Sequence, residues 1–226
     1  ESAEAFLAEA RAIRAGRDLL PVWKDRALRE PKNVGLLYKL GRKLLGRGKE
    51  KEGFAHYDRV LKLDPKDEGD LHAKIYMHRA RYLVRVKRDY PAAVKYLRGA
   101  VRKVTAGRSG EALRYWLGHA LCLAGRKVEA AREMDAYVKQ RGGDAKALLL
   151  SAGVRRKCGH ELAKALAQAQ QAVKQKPKDD WGWYLIADLS HRLGKPANVR
   201  AAIDKAVGLD PKSAFYKNER KRLLGR

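Results

Sequence analysis

The sequence predicts an all-α protein built from repeated pairs of helices. Apolar residues recur at helical spacing along the chain, and no stretch shows the alternation typical of a strand. One helix-pair pattern also returns several times in the same register. Because one helix pair cannot bury its own apolar face, consecutive copies are expected to stack on one another.

The repeated pattern has three parts. A small residue in the first helix is followed seven residues later by a glycine, and a second amphipathic helix then ends in several copies at Asp-Pro. A glycine can take the left-handed conformation that stops a helix, and a proline cannot continue one. The closing residues are Gly48 with Pro65 in the first clear copy, Gly125 in a middle copy, and Gly194 with Pro211 in the last.

This pattern resembles the tetratricopeptide repeat, a helix–turn–helix unit of about 34 residues. The similar segments are 34–67, 74–107, 111–144, 145–179 and 180–213; the second lacks the glycines and follows a short spacer at 68–70. Residues 1–33 look like a degenerate helix pair, and 214–226 are predicted to form a capping helix with a basic tail. The resemblance implies a right-handed superhelical solenoid whose first helices line a concave groove.

Composition sets the expected partners. Lys and Arg total 51 against 26 Asp and Glu, a net charge of +25, which predicts an acidic protein segment, nucleic acid or a membrane surface. No apolar run of about 18 residues is present, so no membrane span is predicted. The start at Glu1 suggests an excised domain or a processed protein. Two cysteines fit a reducing compartment and equally a periplasmic protein with few thiols. The compartment is therefore left open, with the cytoplasm slightly favoured over a periplasmic or other processed location.

Charge is distributed unevenly between the two helices of each pair. The first helices at 34–47, 71–87, 112–126 and 146–157 contain no acid, and the one at 181–193 contains only Asp188. Second helices mix acids with bases. Helical spacing selects the side chains expected to face the groove. They are Tyr38, Lys39, Arg42, His78, Arg79, Tyr82, Arg85, Tyr115, Trp116, His119, Lys146, Arg156, Lys157, Trp181, Tyr184, His191 and Arg192.

Three readings of this surface remain open. An acidic peptide segment could lie along it, its carboxylates bound by arginine forks; the resemblance favours this reading, because such grooves commonly bind peptides. Single-stranded RNA or DNA could instead follow the cations while its bases stack on Tyr82, Trp116 or Tyr184. In the third reading the charge only solubilises the protein and the rings pack between repeats.

The sequence predicts neither catalysis nor a cofactor. Its histidines are scattered among the helices and form no nucleophile–base pattern. His119 and Cys122 lie on one first helix, and Cys158 and His160 near the end of the next, so the four could meet around zinc. Their spacing does not match a standard zinc knuckle, and a structural role is the other reading. We therefore predict no metal and a non-catalytic scaffold whose oligomeric state the sequence leaves open.

Overall fold

The computed structural model describes residues 2–68, 71–104 and 107–225, with the side chains of 2–6 and 107–109 not described. These residues form helices and turns, with no strand among them. In chain order the helices are α1 (Ser2–Arg14), α2 (Leu20–Arg29), α3 (Val34–Leu45), α4 (Glu50–Leu63), α5 (His72–Tyr82), α6 (Tyr90–Lys103), α7 (Gly107–Leu123), α8 (Lys127–Gln140), α9 (Ala145–Cys158), α10 (Leu162–Gln175), α11 (Asp180–Arg192), α12 (Pro196–Leu209) and α13 (Ala214–Leu224). A π-helical turn, Leu83–Lys87, continues α5. In the described part of the chain, no helix is both long and apolar enough to cross a membrane.

The chain forms two compact units, Glu1–Arg79 and Ala80–Arg226, each with its own core. α3 and α4 fall within the segment predicted as the first repeat, and α7 to α12 supply three further helix pairs. Residues 69 and 70 of the predicted spacer, and 105 and 106 at the end of the second predicted repeat, lie outside the described residues.

The core of the first unit is centred on α3 and α4. Its buried side chains are Leu20, Ala27, Leu36, Leu37, Leu40, Leu44, Tyr57, Val60 and Ile75. The two helices touch at Gly41, where an added Cβ would lie 2.6 Å from the Tyr57 ring and 2.9 Å from the carbonyl oxygen of Gly53. Only a residue without a side chain allows this approach, which explains the small residue at this place in the pattern.

The second unit buries residues from α9 to α13 in one continuous cluster, with Leu185, Leu189 and Ile203 fully buried. Its α7–α8 pair meets at Gly118, against the side chain of Met134. Gly125 and Gly194 adopt φ of 76° and 65°, as the repeat pattern requires of closing glycines. These helix pairs and their turns therefore have the features of the repeat pattern described from the sequence.

The second predicted repeat, which lacks the small-residue and closing glycines of the pattern, ends its first helix differently. The π-helical turn Leu83–Lys87 widens the last turn, and Arg88 then takes the left-handed conformation at φ 53°. The backbone N–H of Asp89 donates to the carbonyl of Leu83 at 3.0 Å, and the Asp89 side chain caps α6 by accepting from the N–H of Ala92 at 3.0 Å. An arginine thus occupies the position that glycine fills in other copies.

The two cysteines are joined to each other. Cys122 on α7 and Cys158 on α9 form a disulfide bond, with their Cα atoms 5.4 Å apart. A cysteine binds zinc as a thiolate, which a disulfide sulfur cannot provide. The zinc arrangement with His119 and His160 is therefore not formed, and the cysteines tie two neighbouring first helices together instead.

Arg155 is buried inside the second unit, where it links neighbouring helices through ion pairs and hydrogen bonds. Its side chain is 1% exposed, and its guanidinium lies 2.9 Å from Glu161, 2.7 Å from Asp135 and 3.1 Å from the carbonyl oxygen of Ala131. It also donates to Ser151. The buried charge is thus balanced by acids from α8 and from the turn before α10, so Arg155 belongs to the scaffold.

Candidate functional site

The side chains predicted to line a groove are divided between the two units. Tyr38, Lys39, Arg42, His78 and Arg79 lie in the first unit, and the others lie in the second.

In the first unit, the outer face of α3 borders an open cleft of about 580 Å³. Tyr38, Lys39 and Arg42 all line it, together with Trp23 of α2. One face of the Tyr38 ring stacks on Tyr57, with centroids 5.5 Å apart and ring planes 13° from parallel. The structure therefore brings these three predicted side chains together.

His78 and Arg79 have partners inside the first unit. Arg79 donates to both carboxylate oxygens of Asp58 on α4, at 2.9 and 3.0 Å, and covers the ring of Phe54 at 4.7 Å. His78 Nδ1 lies 3.1 Å from the hydroxyl oxygen of Tyr57. The sequence predicts both residues as groove side chains, but their polar groups are engaged with the preceding helix pair.

The second unit contains a cluster of basic side chains that we call the basic seam, formed by Arg81, Arg85, His119 and Lys157. The guanidinium groups of Arg81 and Arg85 lie 5.3 and 5.4 Å from the centre of the Trp116 ring. The ammonium of Lys157 on α9 lies 3.4 Å from Nε2 of His119 on α7. Among the described side chains, none of the three exposed cations has a carboxylate partner.

Arg81 is a member of the seam that the predicted set lacks. It lies four residues before Arg85, so the two side chains fall on one helical face and reach the same ring. That spacing is visible in the sequence and is the signal by which Arg81 could have been included.

His119 is kept neutral by its surroundings. Burial first, and then the positive charges of Lys157 and Arg85, lower its pKa to about 4. Its Nδ1 atom is buried and accepts or donates no hydrogen bond within the described structure. Near neutral pH the seam therefore consists of three full charges around an uncharged imidazole, an arrangement that attracts anions.

The next first helix, α11, has a buried acid at its centre. The carboxylate of Asp188 is 1% exposed and receives Arg156 at 3.2 Å, Arg192 at 2.7 Å and Arg222 of α13 at 2.5 Å. Burial works to raise the pKa of Asp188, but the hydrogen bond from Arg222 and the other two arginines outweigh it, so the pKa is lowered. Arg156 also donates to the Tyr184 hydroxyl at 3.1 Å.

This cluster changes the interpretation of two predicted groove cations. The sequence places Arg156 and Arg192 on the groove and marks Asp188 as the exceptional acid among the first helices. In the structure Asp188 is the common anchor of both arginines. Arg156 joins α9 to α11 through Asp188, and Arg192 donates to the carbonyl oxygen of Arg156 at 3.3 Å, so their charge is largely used within the protein.

The aromatic rings proposed for base stacking are mostly enclosed. Trp116 is 6% exposed and Tyr184 is 3% exposed. Trp181 packs on Tyr184 with centroids 5.0 Å apart, and Lys87 lies 5.7 Å from the centre of the Tyr82 ring. The expectation that Trp116 and Tyr184 present open faces is wrong, because neighbouring helices cover them.

Three further predicted residues lie at other points of the second unit. Tyr115 is half-buried beside His119, with ring centroids 6.3 Å apart, and extends the seam by one ring. Lys146 is exposed in the first turn of α9. His191 is exposed in the last turn of α11, where it borders a cleft with Leu223 and Arg200.

One group of side chains has the atoms of a metal site. Asp64, Asp67 and His72 each offer a ligand atom, and these atoms lie within 4.8 Å of one another. The carboxylates, however, accept backbone hydrogen bonds: Asp64 from Glu68 at 2.9 Å, and Asp67 from His72 at 2.9 Å. They thus fix the backbone at Glu68 and at His72, the first residue of α5.

Residues 73–145 and 159–214 match the family model described as tetratricopeptide repeat. Together these ranges cover more than half of the chain. No curated protein sequence matches the chain significantly.

Solved structures with the same architecture cover 80–96% of the chain. The type IV pilus biogenesis factor PilW aligns over 96% of this chain and 97% of its own, with a TM-score of 0.71 at 12% identity. YrrB, described as a TPR protein with an unusual peptide-binding site, covers 88% and 97% with a TM-score of 0.61 at 19% identity. MamA from Desulfovibrio magneticus RS-1 covers 80% and 97% with a TM-score of 0.63 at 16% identity. At these identities the likeness concerns the fold.

Proposed function

The chain belongs to the tetratricopeptide repeat family, whose members are generally non-catalytic scaffolds, and from this we propose that it is a non-catalytic scaffold that binds an acidic peptide segment. The proposed site is the basic seam of the second unit. The observation that carries the proposal is the presence of three exposed cations, Arg81, Arg85 and Lys157, that form no ion pair with a carboxylate in the described structure. The description of YrrB as peptide-binding supports a peptide as the ligand class.

The geometry supports a simple mode of binding. Arg81 and Arg85 lie against Trp116, which limits their rotamers, so less conformational entropy is lost when their guanidinium groups bind a carboxylate. Lys157 offers a third positive charge, beside neutral His119. The half-buried ring of Tyr115 supplies apolar surface for a neighbouring side chain. An acidic peptide with interspersed apolar residues fits these three elements.

The nucleic-acid alternative is less well supported. Nonspecific binding of single strands depends on rings whose faces can stack with bases. Trp116 and Tyr184 are buried, and the Trp116 ring lies beneath two arginines. Tyr82, the third ring named for stacking, is half-buried, with Lys87 5.7 Å from its centre. Binding of a single strand would therefore depend mainly on phosphate contacts, which are strongly weakened by salt.

Fluorescence anisotropy with two labelled peptides tests the proposal. One peptide alternates Glu and Leu, and the other replaces every Glu by Gln. We expect the Glu peptide to bind at least about tenfold more tightly, and R85E/K157E to remove this difference. The matched control is K205E/K212E, which makes the same charge change at exposed lysines on α12 and in the following turn.

Two results would contradict the proposal. Equal binding of both peptides would show that carboxylates are not recognised, and equal losses in R85E/K157E and K205E/K212E would show that only overall charge matters. A labelled oligothymidylate is titrated in parallel at physiological salt. If it binds more tightly than the Glu peptide and loses binding in R85E/K157E, nucleic acid replaces the peptide as the partner.

A further inference from the structure

The cleft in the first unit has the properties of a separate ligand site. It lies between Trp23 of α2 and one face of α3, and its volume of about 580 Å³ falls in the range of small-molecule sites. Besides Tyr38, it is lined by four cations, Lys39, Arg42, Lys43 and Arg47. No acid is among its lining residues.

Its positive charge is only partly balanced. Asp18 lies 2.6 Å from Arg47 and 3.8 Å from Lys43, and it accounts for one of the four charges. Within the described residues, Lys39 and Arg42 have no carboxylate partner. A net charge of about three remains beside a concave surface, which concentrates the field and favours a multiply charged anion over a single carboxylate.

The aromatic walls of the cleft are held in place. The indole N–H of Trp23 donates to Glu9 at 3.0 Å, and the Lys39 ammonium lies 6.0 Å from the centre of the indole ring. Tyr38 is fixed by its parallel stack on Tyr57. Both rings are half-buried, so each keeps part of its surface open to the cleft. Rings held in this way favour a ligand with a flat group of its own.

We propose that this cleft binds a phosphate monoester that carries a planar ring, the chemistry shared by nucleoside phosphates and aryl phosphates. Arg42 offers a fork to the phosphate oxygens, and Lys39 and Lys43 offer point charges within one helical turn of it. The ring of the ligand lies against Trp23 and Tyr38. The cleft is in the first unit and the basic seam in the second, so each proposal can fail without the other.

The experiment uses the intact chain and defined probes. Isothermal titration at pH 7.5, where the second phosphate proton has dissociated, compares phenyl phosphate and adenosine 5′-monophosphate with inorganic phosphate, benzoate and adenosine. We expect at least one ring phosphate to bind at least about tenfold more tightly than each of the three controls. Whichever of the two ring phosphates binds better identifies the source as a nucleotide or an aryl phosphate.

Variants and a local probe show where binding occurs. K39A/R42A is expected to weaken the better ring phosphate by about tenfold, whereas K51A/K62A, which removes two exposed lysines of α4, leaves it within about twofold. The Trp23 indole N–H resonance, assigned by its loss in W23F, should shift on titration while those of Trp116, Trp181 and Trp183 stay in place. Circular dichroism confirms that the variants are folded.

Three outcomes would overturn the proposal. The first is that neither ring phosphate binds, or that inorganic phosphate, benzoate or adenosine binds as tightly as the ring phosphates. The second is an equal loss of affinity in K39A/R42A and K51A/K62A. The third is a Trp23 resonance that does not move at saturation.

Discussion

Replacing Asp188 by asparagine should destabilise the second unit more than any exposed ion-pair substitution there. Asp188 is 1% exposed, while the side chains of Arg156, Arg192 and Arg222 are 21%, 42% and 48% exposed. Removing one partner of a buried ion pair costs about 3–5 kcal/mol. Because two of these arginines can turn towards water, we expect the lower end, about 3 kcal/mol.

This free energy has a measurable counterpart in the melting temperature. For a domain of this size 1 kcal/mol lowers Tm by about 2–4 °C, so D188N should melt about 6–12 °C below the unmodified chain. The measurement is differential scanning calorimetry, supported by circular dichroism. The control is D204N, which breaks the exposed pair of Asp204 with Arg220 and should cost below about 1 kcal/mol. If the melting temperatures of D188N and D204N are equal, Asp188 is not the anchor we describe.

Three further predictions concern other parts of the fold. Gly41→Ala should lower the free energy of unfolding by about 1–3 kcal/mol, because the new Cβ meets the carbonyl of Gly53. Gly118→Ala should lower it less, because the flexible end of Met134 can move. Urea denaturation compares the two variants, and equal losses of stability would contradict this reasoning. Reducing the Cys122–Cys158 disulfide, which closes a loop of 36 residues, should cost about 2–4 kcal/mol, measured by melting with and without dithiothreitol, and an unchanged melting temperature would argue against the bond. The folded chain holds the pKa of His119 at about 4, below its unfolded value of about 6.5, so the associated stability is complete above pH 6.5 and is lost as pH falls towards 4. At pH 5 the loss is about 1 kcal/mol after allowance for solvent, and H119Q should flatten this part of the pH profile; an unchanged slope would refute the assignment.

The repeat architecture could be predicted from the sequence because it depends on local features. The small residue in the first helix and the closing glycine act within one helix pair, and Gly41 and Gly125 play these roles in the structure. The core positions Leu40 and Leu44 followed from helical periodicity and are fully buried. Such features need no knowledge of the neighbouring pair.

The candidate site could be predicted only in part, because helical spacing gives the face of a residue and not its partner. Arg79 lies on a first helix, yet it reaches back to Asp58 on the preceding second helix. Trp116 lies on the predicted face, but neighbouring side chains cover it. Both outcomes depend on how closely adjacent pairs pack, which no single repeat encodes.

The spacing of the two cysteines in the sequence is a signal from which the disulfide could have been predicted. Cys122 and Cys158 are 36 residues apart, close to the length of one repeat, and equivalent positions in adjacent repeats lie side by side. A count of cysteines alone hides this relation. Comparison of positions between repeats would have indicated that the two sulfur atoms are neighbours.

The same disulfide affects how the second unit comes apart. In a repeat protein each pair contacts its neighbours, so unfolding can begin at an end and advance one pair at a time. Fraying that starts at α13 reaches a covalent junction at α9, where α7 and α9 cannot separate even after their contacts melt. His119 and Lys157 lie on these two helices, so the seam should remain assembled while the pairs beyond it exchange their amide protons with solvent. The disulfide thus divides the unfolding of the second unit into two parts. The helix pairs beyond α9 unfold gradually from the end, and the helices joined by the disulfide unfold together.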